Sequence, residues 1–186
     1  MIQSGESMRV VHPLFQTEGS GSSPTSPLQL HIGEISLDQA ISLNALWHSR
    51  LPIAVKANMQ RVSHLVCFGA EHEGMFYATA IWTDPIARLL NGLDLLELRR
   101  FAIADDAPKN TGTRVLKVMI AQIRRKWPHI KKLISYQDTT VHSGALYAAS
   151  NWVAAAERVG GDWSNPSRAR VASQAQGRKI RWEFAL

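Results

Sequence analysis

The segment Lys109–Arg114 joins an apolar run to a helical pattern, and its residue types suit the binding of an anion. Gly112 lets the backbone approach a ligand closely, and Thr113 is a candidate cap for the start of the helix. The free N–H groups at a helix start favour negative charge, such as the phosphates of a cofactor. A plain strand–helix connection is the alternative, because short turns that contain glycine are common. The candidate cofactor-binding residues here are Ile103, Lys109, Asn110, Gly112, Thr113 and Arg114.

Arg99 and Arg100 are adjacent charged residues inside the apolar run Leu93–Ile103. Alternation along a strand predicts that their side chains point to opposite faces of a sheet. A buried charge is costly without a partner, so one of them needs a counter-charge or a ligand. Asp105, Asp106 or a cofactor phosphate would supply it, and a structural salt bridge is the alternative. We assign Arg100 to the cofactor side.

Apolar spacing predicts the elements that hold these residues in place. One apolar stripe indicates an amphipathic helix over Thr113–Trp127, and helices are also predicted at Leu37–Trp47 and His142–Asn151. Strands are predicted at Leu28–Ile35, Arg61–Ala70, Met75–Trp82, Leu93–Ile103, Lys131–Gln137, Val153–Arg158 and Arg178–Leu186. This order favours an α/β (α+β) fold, in which helices pack on a mixed sheet. Residues 1–27 are predicted to be a disordered arm and residues 28–186 a single domain.

The composition is that of a globular protein, with 186 residues of which 45% are hydrophobic. No apolar run approaches the ~18 residues of a membrane span, and the N-terminus lacks the pattern of a secretory signal. Cys67 is the single cysteine and lies in the apolar run Leu65–Phe68, so we expect a buried thiol rather than a nucleophile. A lone cysteine suits a reducing compartment, and we expect a cytoplasmic protein.

Basic residues are concentrated in two regions of this chain, whose net charge is +6. Lys109 to Lys132 contains eight Lys or Arg and no acidic residue, and Arg158 to the C-terminus contains six against two acidic residues. Such blocks attract polyanions through counterion release, although they also serve as a solvated surface. Composition does not separate DNA from RNA or from acidic protein. The candidate DNA-binding residues are Arg50, Arg124, Arg125, Arg168 and Arg170.

The central segment resembles the core of the GNAT acetyltransferase superfamily, in which a strand leads into an Arg/Gln-x-x-Gly-x-Gly/Ala pyrophosphate loop. The matching positions are Lys109-x-x-Gly112-x-Arg114, where Arg114 departs from the small third residue. More narrowly, LELRRFAIADDAPKNT, KLISYQDTTVHSGALYAASNW and NALWHSRLP are similar to the phage Mom DNA-modification family. The resemblance covers about Leu43 to Trp152 and implies a splayed central sheet.

The Mom resemblance implies transfer of a methylcarbamoyl group to the N6 atom of adenine in DNA, which blocks restriction by the host. The implied cofactors are acetyl-CoA or a related acyl donor and iron(II). The implied partners are double-stranded DNA and, in a homodimer, a second copy of the chain. By resemblance, Tyr147 is the general acid, while His48 and Asp138 bind iron. Water, substrate, His142 or Tyr136 would complete the iron site. An Asp at a strand end is also commonly a turn cap, and a lone His is usually structural.

Two other functions stay open at this point. One is an ordinary N-acetyltransferase that acts on a protein or a small amine. The other is a DNA-binding module with a degenerate acyl site, which the arginine at position 114 favours. An enzyme that modifies adenine must flip the base out of the duplex or act at an opened site. Trp47 or Trp82 would stack on a flipped base, with core packing as the alternative for each.

Overall fold

A computed structural model describes residues 22–48, 54, 56–60, 62–87, 89–90, 93–159 and 178–186. The strands are β1 (His31–Ile35), β2 (Leu65–His72), β3 (Met75–Thr83), β4 (Leu95–Ile103), β5 (Lys132–Asp138), β6 (Val153–Val159) and β7 (Arg178–Ala185). The helices are α1 (Leu37–Trp47), α2 (Ala57–Gln60), α3 (Thr111–Lys126) and α4 (Ala145–Ala148), with a 3-10 helix at Pro27–Gln29. Within this described part of the chain, none of the helices has the length and apolar character needed to cross a membrane.

The seven strands form one sheet in the order β1-β2-β3-β4-β5-β7-β6. The β4–β5 pair is parallel, and each of the other neighbouring pairs is antiparallel. A parallel pair needs a crossover connection, which α3 supplies between β4 and β5. The predicted mixed sheet with helices packed on it is therefore confirmed.

The two parallel strands separate after only four paired residues. Leu95–Leu98 pairs with Lys132–Ser135, and no pairing between the two strands follows. Beyond that point β4 stays paired with β3 as far as Ile103, and β5 stays paired with β7 as far as Asp138. The carboxyl ends of β4 and β5 thus form a V-shaped opening, and the expected splayed sheet is confirmed.

Helices cover the two faces of this sheet. The apolar stripe of α3 is buried on one face, as its spacing predicts. Trp82 is fully buried on that face and its indole N–H donates to the sulfur of Met119 at 3.3 Å, so Trp82 is a core residue. Ala40 of α1 packs with Ile81 and Cys67 in a second cluster on the other face. Burial raises the pKa of the Cys67 thiol to about 12, which confirms the prediction of an unreactive cysteine.

Several boundaries differ from the predicted ones for local reasons. The strand predicted from Leu28 begins at His31, because a capping box between Ser26 and Gln29 folds the preceding residues into the 3-10 helix. α2 was not predicted, since four residues are too few to show a helical period. Most of the predicted arm and the predicted loop at 160–176 lie outside the described residues.

The second helix of the central segment is much shorter than the predicted His142–Asn151. Gly144 precedes it with a left-handed φ of 78°, and Asn151 follows it with a φ of 62°. A left-handed residue ends helical geometry for L-amino acids, so only Ala145–Ala148 forms α4. A Cβ on Gly144 would lie 2.6 Å from Oε1 of Gln137 and 2.8 Å from Cζ2 of Trp182.

We predict that Gly144→Ala lowers the stability of the protein. A left-handed alanine costs about 1–2 kcal/mol, and the contacts with Gln137 and the rigid Trp182 ring add about 1–3 kcal/mol of overpacking. Urea unfolding measures the effect. Gly74→Ala is the matched control, because Gly74 has nearly the same φ of 79° in the β2–β3 turn. Equal losses in the two variants would show that backbone conformation alone matters at Gly144.

Candidate active site

Three polar groups lie at the point where β4 and β5 separate. The hydroxyl oxygens of Ser135 and Tyr147 are 2.8 Å apart, and the Ser135 hydroxyl donates to the Leu98 carbonyl at 3.3 Å. With that proton committed to Leu98, the Tyr147 hydroxyl donates to Ser135. Leu98 and Ser135 are the last paired residues of the two strands, so this chain of hydrogen bonds marks the base of the opening.

Aromatic packing holds the Tyr147 ring in this position. The ring stacks on Trp182 at 5.4 Å between centroids and meets Trp152 edge-on at 5.5 Å. Burial raises the pKa of the Tyr147 phenol, while the Ser135 hydrogen bond partly opposes this effect. The phenol therefore stays protonated at neutral pH and has a proton to donate.

Gln137 positions the segment that leads into α4. Its side-chain oxygen accepts a hydrogen bond from the Trp182 indole N–H at 2.7 Å, and its amide N–H donates to the His142 carbonyl. The buried amide thus connects β7 to the loop between β5 and Tyr147. Neither Gln137, Ser135 nor Trp182 was singled out from the sequence, because a single polar residue in a strand carries no spacing signal.

A β-bulge in β4 changes the predicted placement of the two arginines. Ile81 pairs with Arg100 but Trp82 pairs with Leu98, so Arg99 is an extra residue opposite β3. The prediction that Arg99 and Arg100 point to opposite faces assumed unbroken alternation and is wrong. Burial lowers the pKa of Arg100, and the positive charge of Arg99 lowers it further.

Glu97 is a buried carboxyl on the same strand; burial lowers the pKa of both arginines, and the charge of Glu97 opposes this in part. It is 6% exposed, and its Oε2 accepts a hydrogen bond from the Ile86 N–H at 3.0 Å. Burial raises the pKa of the Glu97 carboxyl, while the Ile86 N–H and the two guanidinium charges lower it in part. Asp105 and Asp106, the partners expected from the sequence, are both exposed in the turn after β4. A glutamate within the apolar run was the sequence signal for this partner.

Arg100 keeps unused donor capacity. Its Nη1 donates to the Arg99 carbonyl at 2.7 Å, and its buried Nε has no hydrogen-bond partner among the described residues. Burial and the neighbouring Arg99 lower the pKa of its guanidinium, while Glu97 raises it. This arrangement can bind an anionic or carbonyl oxygen.

His48 lies in the same region, where it ends α1 as its C-cap residue. Burial lowers the pKa of His48 to about 4, with smaller contributions from the positive charges of Arg100 and His142. The imidazole is therefore neutral at physiological pH and can accept a hydrogen bond. The structure thus brings together His48, Arg100 and His142, from three separate parts of the chain.

Asp138 closes the turn that follows β5. Its Oδ1 accepts hydrogen bonds from the Thr140 N–H at 2.9 Å and from the Thr140 hydroxyl at 2.6 Å. Its carbonyl accepts from the His142 N–H at 3.0 Å, which places the turn beside His142. Asp138 therefore serves as the turn cap that the sequence allowed as an alternative.

The predicted iron site rests on two side chains, His48 at the end of α1 and Asp138 at the end of β5. Among those residues, no group of three or more His, Cys, Asp or Glu side chains could hold a metal ion. One oxygen of Asp138 is engaged by Thr140, and Arg100 places positive charge beside His48. Iron binding at His48 and Asp138 stays a prediction, and the chemistry below is derived without it.

Helix α3, which follows the candidate phosphate loop within Lys109–Arg114, begins earlier than the predicted Thr113. Asn110 has a left-handed φ of 66° and is the N-cap, and Thr111 is the first helical residue. The prediction that Thr113 caps the helix is wrong, because it is the third residue of the helix. No side chain caps this helix start, and the Thr111 N–H donates to the Pro108 carbonyl, so the amides of Gly112 and Thr113 remain available to an anion. Lys109 and Asn110 are exposed beside them.

Gly112 is required for packing, and its predicted close approach to a ligand stays a prediction. A Cβ at this position would lie 2.9 Å from Cδ1 of Ile103 and 3.0 Å from Cδ1 of Leu146. Its small size therefore lets α3 lie close to β4 and α4. Arg114, two positions further along, is half-buried, and its Nε has no hydrogen-bond partner among the described residues.

The candidate DNA-binding arginines are not all within the described residues. Arg124 and Arg125 are exposed in the last turn of α3, where basic residues also suit the helix dipole. That end of the helix is about 20 Å from its N-terminus, so these two side chains lie at the opposite pole from the opening. Arg50, Arg168 and Arg170 lie outside the described residues. A DNA contact by any of the five stays a prediction.

The fold is similar to solved acetyltransferase structures. The ribosomal-protein-S18-alanine N-acetyltransferase from Escherichia coli matches with a TM-score of 0.61 and 16% identity, over 84% of this chain and 93% of that one. A GNAT family acetyltransferase from Elizabethkingia anophelis, solved with acetyl-CoA bound, gives 0.58 and 14%, over 85% and 99%. A ribosomal-protein-alanine N-acetyltransferase from Brucella melitensis gives 0.59 and 15%, over 84% and 100%. At these identities the similarity shows the GNAT fold alone.

Sequence comparisons are more specific about the family. A comparison with curated proteins gives no match. The sequence model of the Mom protein family matches residues 53–173, which is more than half of the 186 residues and includes β4, α3, β5 and Tyr147. The chain therefore belongs to the Mom protein family and has a GNAT-like fold.

Proposed function

We propose that this protein transfers a methylcarbamoyl, acyl-type group from a small donor to the N6 atom of adenine in DNA. Membership of the Mom family is the observation that carries the proposal. Two features support it: the Tyr147 phenol lies at the base of the opening between β4 and β5, and the imidazole of His48 is neutral and feels the charge of Arg100. The net charge of +6 suits a polyanionic substrate.

The donor is proposed to bind with its phosphates at the start of α3. The uncapped amides of the first turn favour an anion, and the buried Nε of Arg114 supplies a further donor nearby. An arginine at this position binds phosphate bidentately, whereas the small residue of the usual loop binds only through its backbone. Acetyl-CoA or a related acyl donor fits this chemistry.

The transfer forms one new bond to N6 and needs two proton transfers, one from N6 and one to the leaving group. The N6 atom of a flipped adenine attacks the electrophilic carbon of the donor, and the bond from that carbon to the leaving group breaks. N6 loses a proton, and the neutral imidazole of His48 is the proposed acceptor. Tyr147 gives its proton to the leaving group, and Ser135 can then turn its hydroxyl to stabilise the phenolate.

We expect DNA from cells that express the protein to contain modified adenine, and DNA from cells with the His48→Ala variant to lack it. The variant removes the neutral acceptor but leaves α1 packed, because His48 lies at its end. Mass spectrometry of DNA nucleosides measures both results. His31→Ala is the control, since His31 is exposed on the outer strand β1. Unmodified DNA with acetylated protein would support the N-acetyltransferase instead, and DNA binding without modification would support a binding module.

Tyr147→Phe is expected to lower the rate of transfer about 10²–10⁴-fold, the usual contribution of a general acid. Phenylalanine keeps the stacking on Trp182, so donor binding and stability should change little. The measurements are the initial rate of adenine modification and the thermal shift caused by the donor. Tyr77→Phe is the matched control, because it removes a buried hydroxyl from the core. Unchanged activity in Tyr147→Phe would exclude the assigned role.

Arg114→Glu is expected to abolish the rise in melting temperature that acetyl-CoA or CoA causes in the unmodified protein. The substitution places a negative charge where the phosphates are proposed to bind. Lys117→Glu is the matched control, because Lys117 is exposed one turn further along the same helix. Tighter binding in Arg114→Ala would instead show that the arginine obstructs the loop.

A further inference from the structure

A second polar cluster lies at the opposite pole of the sheet from the opening. It contains His64, just before β2, Asp84, just after β3, and His129, in the turn that follows α3. These positions lie at the start of β2, the end of β3 and the C-terminal end of α3. The length of α3, about 24 Å for sixteen residues, separates them from the phosphate loop. The proposed transfer uses none of these three residues.

Asp84 fixes the orientation of the His64 ring. Its Oδ1 is 2.6 Å from Nδ1 of His64. Its Oδ2 accepts hydrogen bonds from the backbone N–H groups of Ser63 at 2.6 Å and of His64 at 3.1 Å. A carboxylate accepts and does not donate, so Nδ1 of His64 carries the proton. In the neutral ring, Nε2 is then left with a free lone pair.

The second imidazole faces that lone pair directly. Nε2 of His129 is 3.1 Å from Nε2 of His64, and the rings are tilted by 44° with their centroids 5.1 Å apart. The two rings are therefore joined by their nitrogen edges rather than stacked. Trp127 meets the His64 ring edge-on at 5.1 Å and forms one wall of the cluster. The Ile130 N–H donates to the Trp127 carbonyl at 3.0 Å, which holds the turn that carries His129.

We propose that Nε2 of His64 and Nε2 of His129 together bind a divalent transition-metal ion such as Zn²⁺. Zinc–nitrogen bonds are about 2.0–2.1 Å long, so two ligands about 90–110° apart would be separated by about 2.8–3.4 Å. The observed separation lies in this range. His129 binds in the tautomer that keeps its proton on Nδ1, so the ion replaces the hydrogen bond between the rings without net proton release. Water fills the remaining positions, because His129 is exposed.

Asp84 gives this pair a feature of metal centres that a surface histidine pair lacks. Metal-bound histidines commonly donate their other N–H to a carboxylate, which fixes the tautomer and makes the ligand more basic. Here Asp84 is itself held by two backbone N–H groups. Closed structural zinc sites have four protein ligands and open catalytic ones three, so with two protein ligands we infer an exchangeable ion. Imidazole ligands favour zinc, copper and nickel over magnesium or calcium.

An ion at this position would crosslink the turn after α3 to the start of β2. These segments are distant in sequence, and the ring contact between His64 and His129 joins them at that point. The inferred ion is independent of the proposed transferase activity. It also bears on any metal analysis of the protein, because metal bound at this pole would be counted together with metal at His48 and Asp138.

Isothermal titration of the full chain with zinc chloride tests the proposal. We expect one ion per chain, and the same binding in the His48→Ala variant. His129→Ala, on an exposed turn, should lose the site and the accompanying rise in melting temperature. Asp84→Asn should weaken binding about 10–100-fold, as loss of a carboxylate behind a ligand does.

The matched control is His31→Ala. His31 also lies near a carboxylate, with its Nδ1 3.6 Å from Glu71, but no second imidazole contact is described for it. The control should bind zinc like the unmodified chain. Two outcomes would overturn the proposal. One is equal zinc binding by the His129→Ala variant. The other is no zinc binding by the unmodified chain at up to about 100 μM zinc. In either case the two rings would share a hydrogen bond only.

Discussion

The parting of β4 and β5 after Leu98 and Ser135 is the constraint on which the rest of the site depends. Backbone N–H and C=O groups need partners when they are removed from water. Beyond the parting, each strand pairs on its outer edge only, so the two inner edges offer unpaired groups to whatever enters. The opening is thus a binding surface before any side chain is considered. Helix α3 is the crossover between these two strands, so its N-terminus must lie at the same end of the sheet.

Charge at this opening is arranged by the bulge in β4. Without the extra residue, Arg99 and Arg100 would alternate across the sheet, and one of them would enter the core beside α3. The bulge instead brings both guanidinium groups near Glu97 and brings Arg100 near His48. The result is a positive region in which the imidazole is held neutral. A neutral imidazole beside a fixed cation can accept a proton from an amine that becomes more acidic as it is acylated. The fixed cation itself repels a second cation.

The architecture was predictable from the sequence because it depends on periodic patterns. The apolar stripe of α3, the alternation of the strands and the proline and glycine breaks each extend over several residues, so each gives a repeated signal. The site residues depend on single contacts across the sheet, which leave no period. The bulge at Arg99, the pairing of Ser135 with Tyr147 and the left-handed Asn110 are such contacts. Even so, the adjacent charges in an apolar run and the glycine of the loop lie near the parting of β4 and β5.

The two ends of the sheet carry different chemistry, and this follows from the same topology. The carboxyl ends of β4 and β5 and the start of α3 meet at one pole, where unpaired backbone donors favour a polar ligand. At the other pole β4 and β5 are fully paired and α3 ends, so backbone groups are satisfied and side chains decide what is bound. There the histidines at 64 and 129 stand beside the basic residues at the end of α3. A polyanion such as DNA that contacts those basic residues would lie about one helix length from the reacting groups. To be modified at the opening, its target base must therefore be presented by a different part of the duplex from the part that contacts this pole.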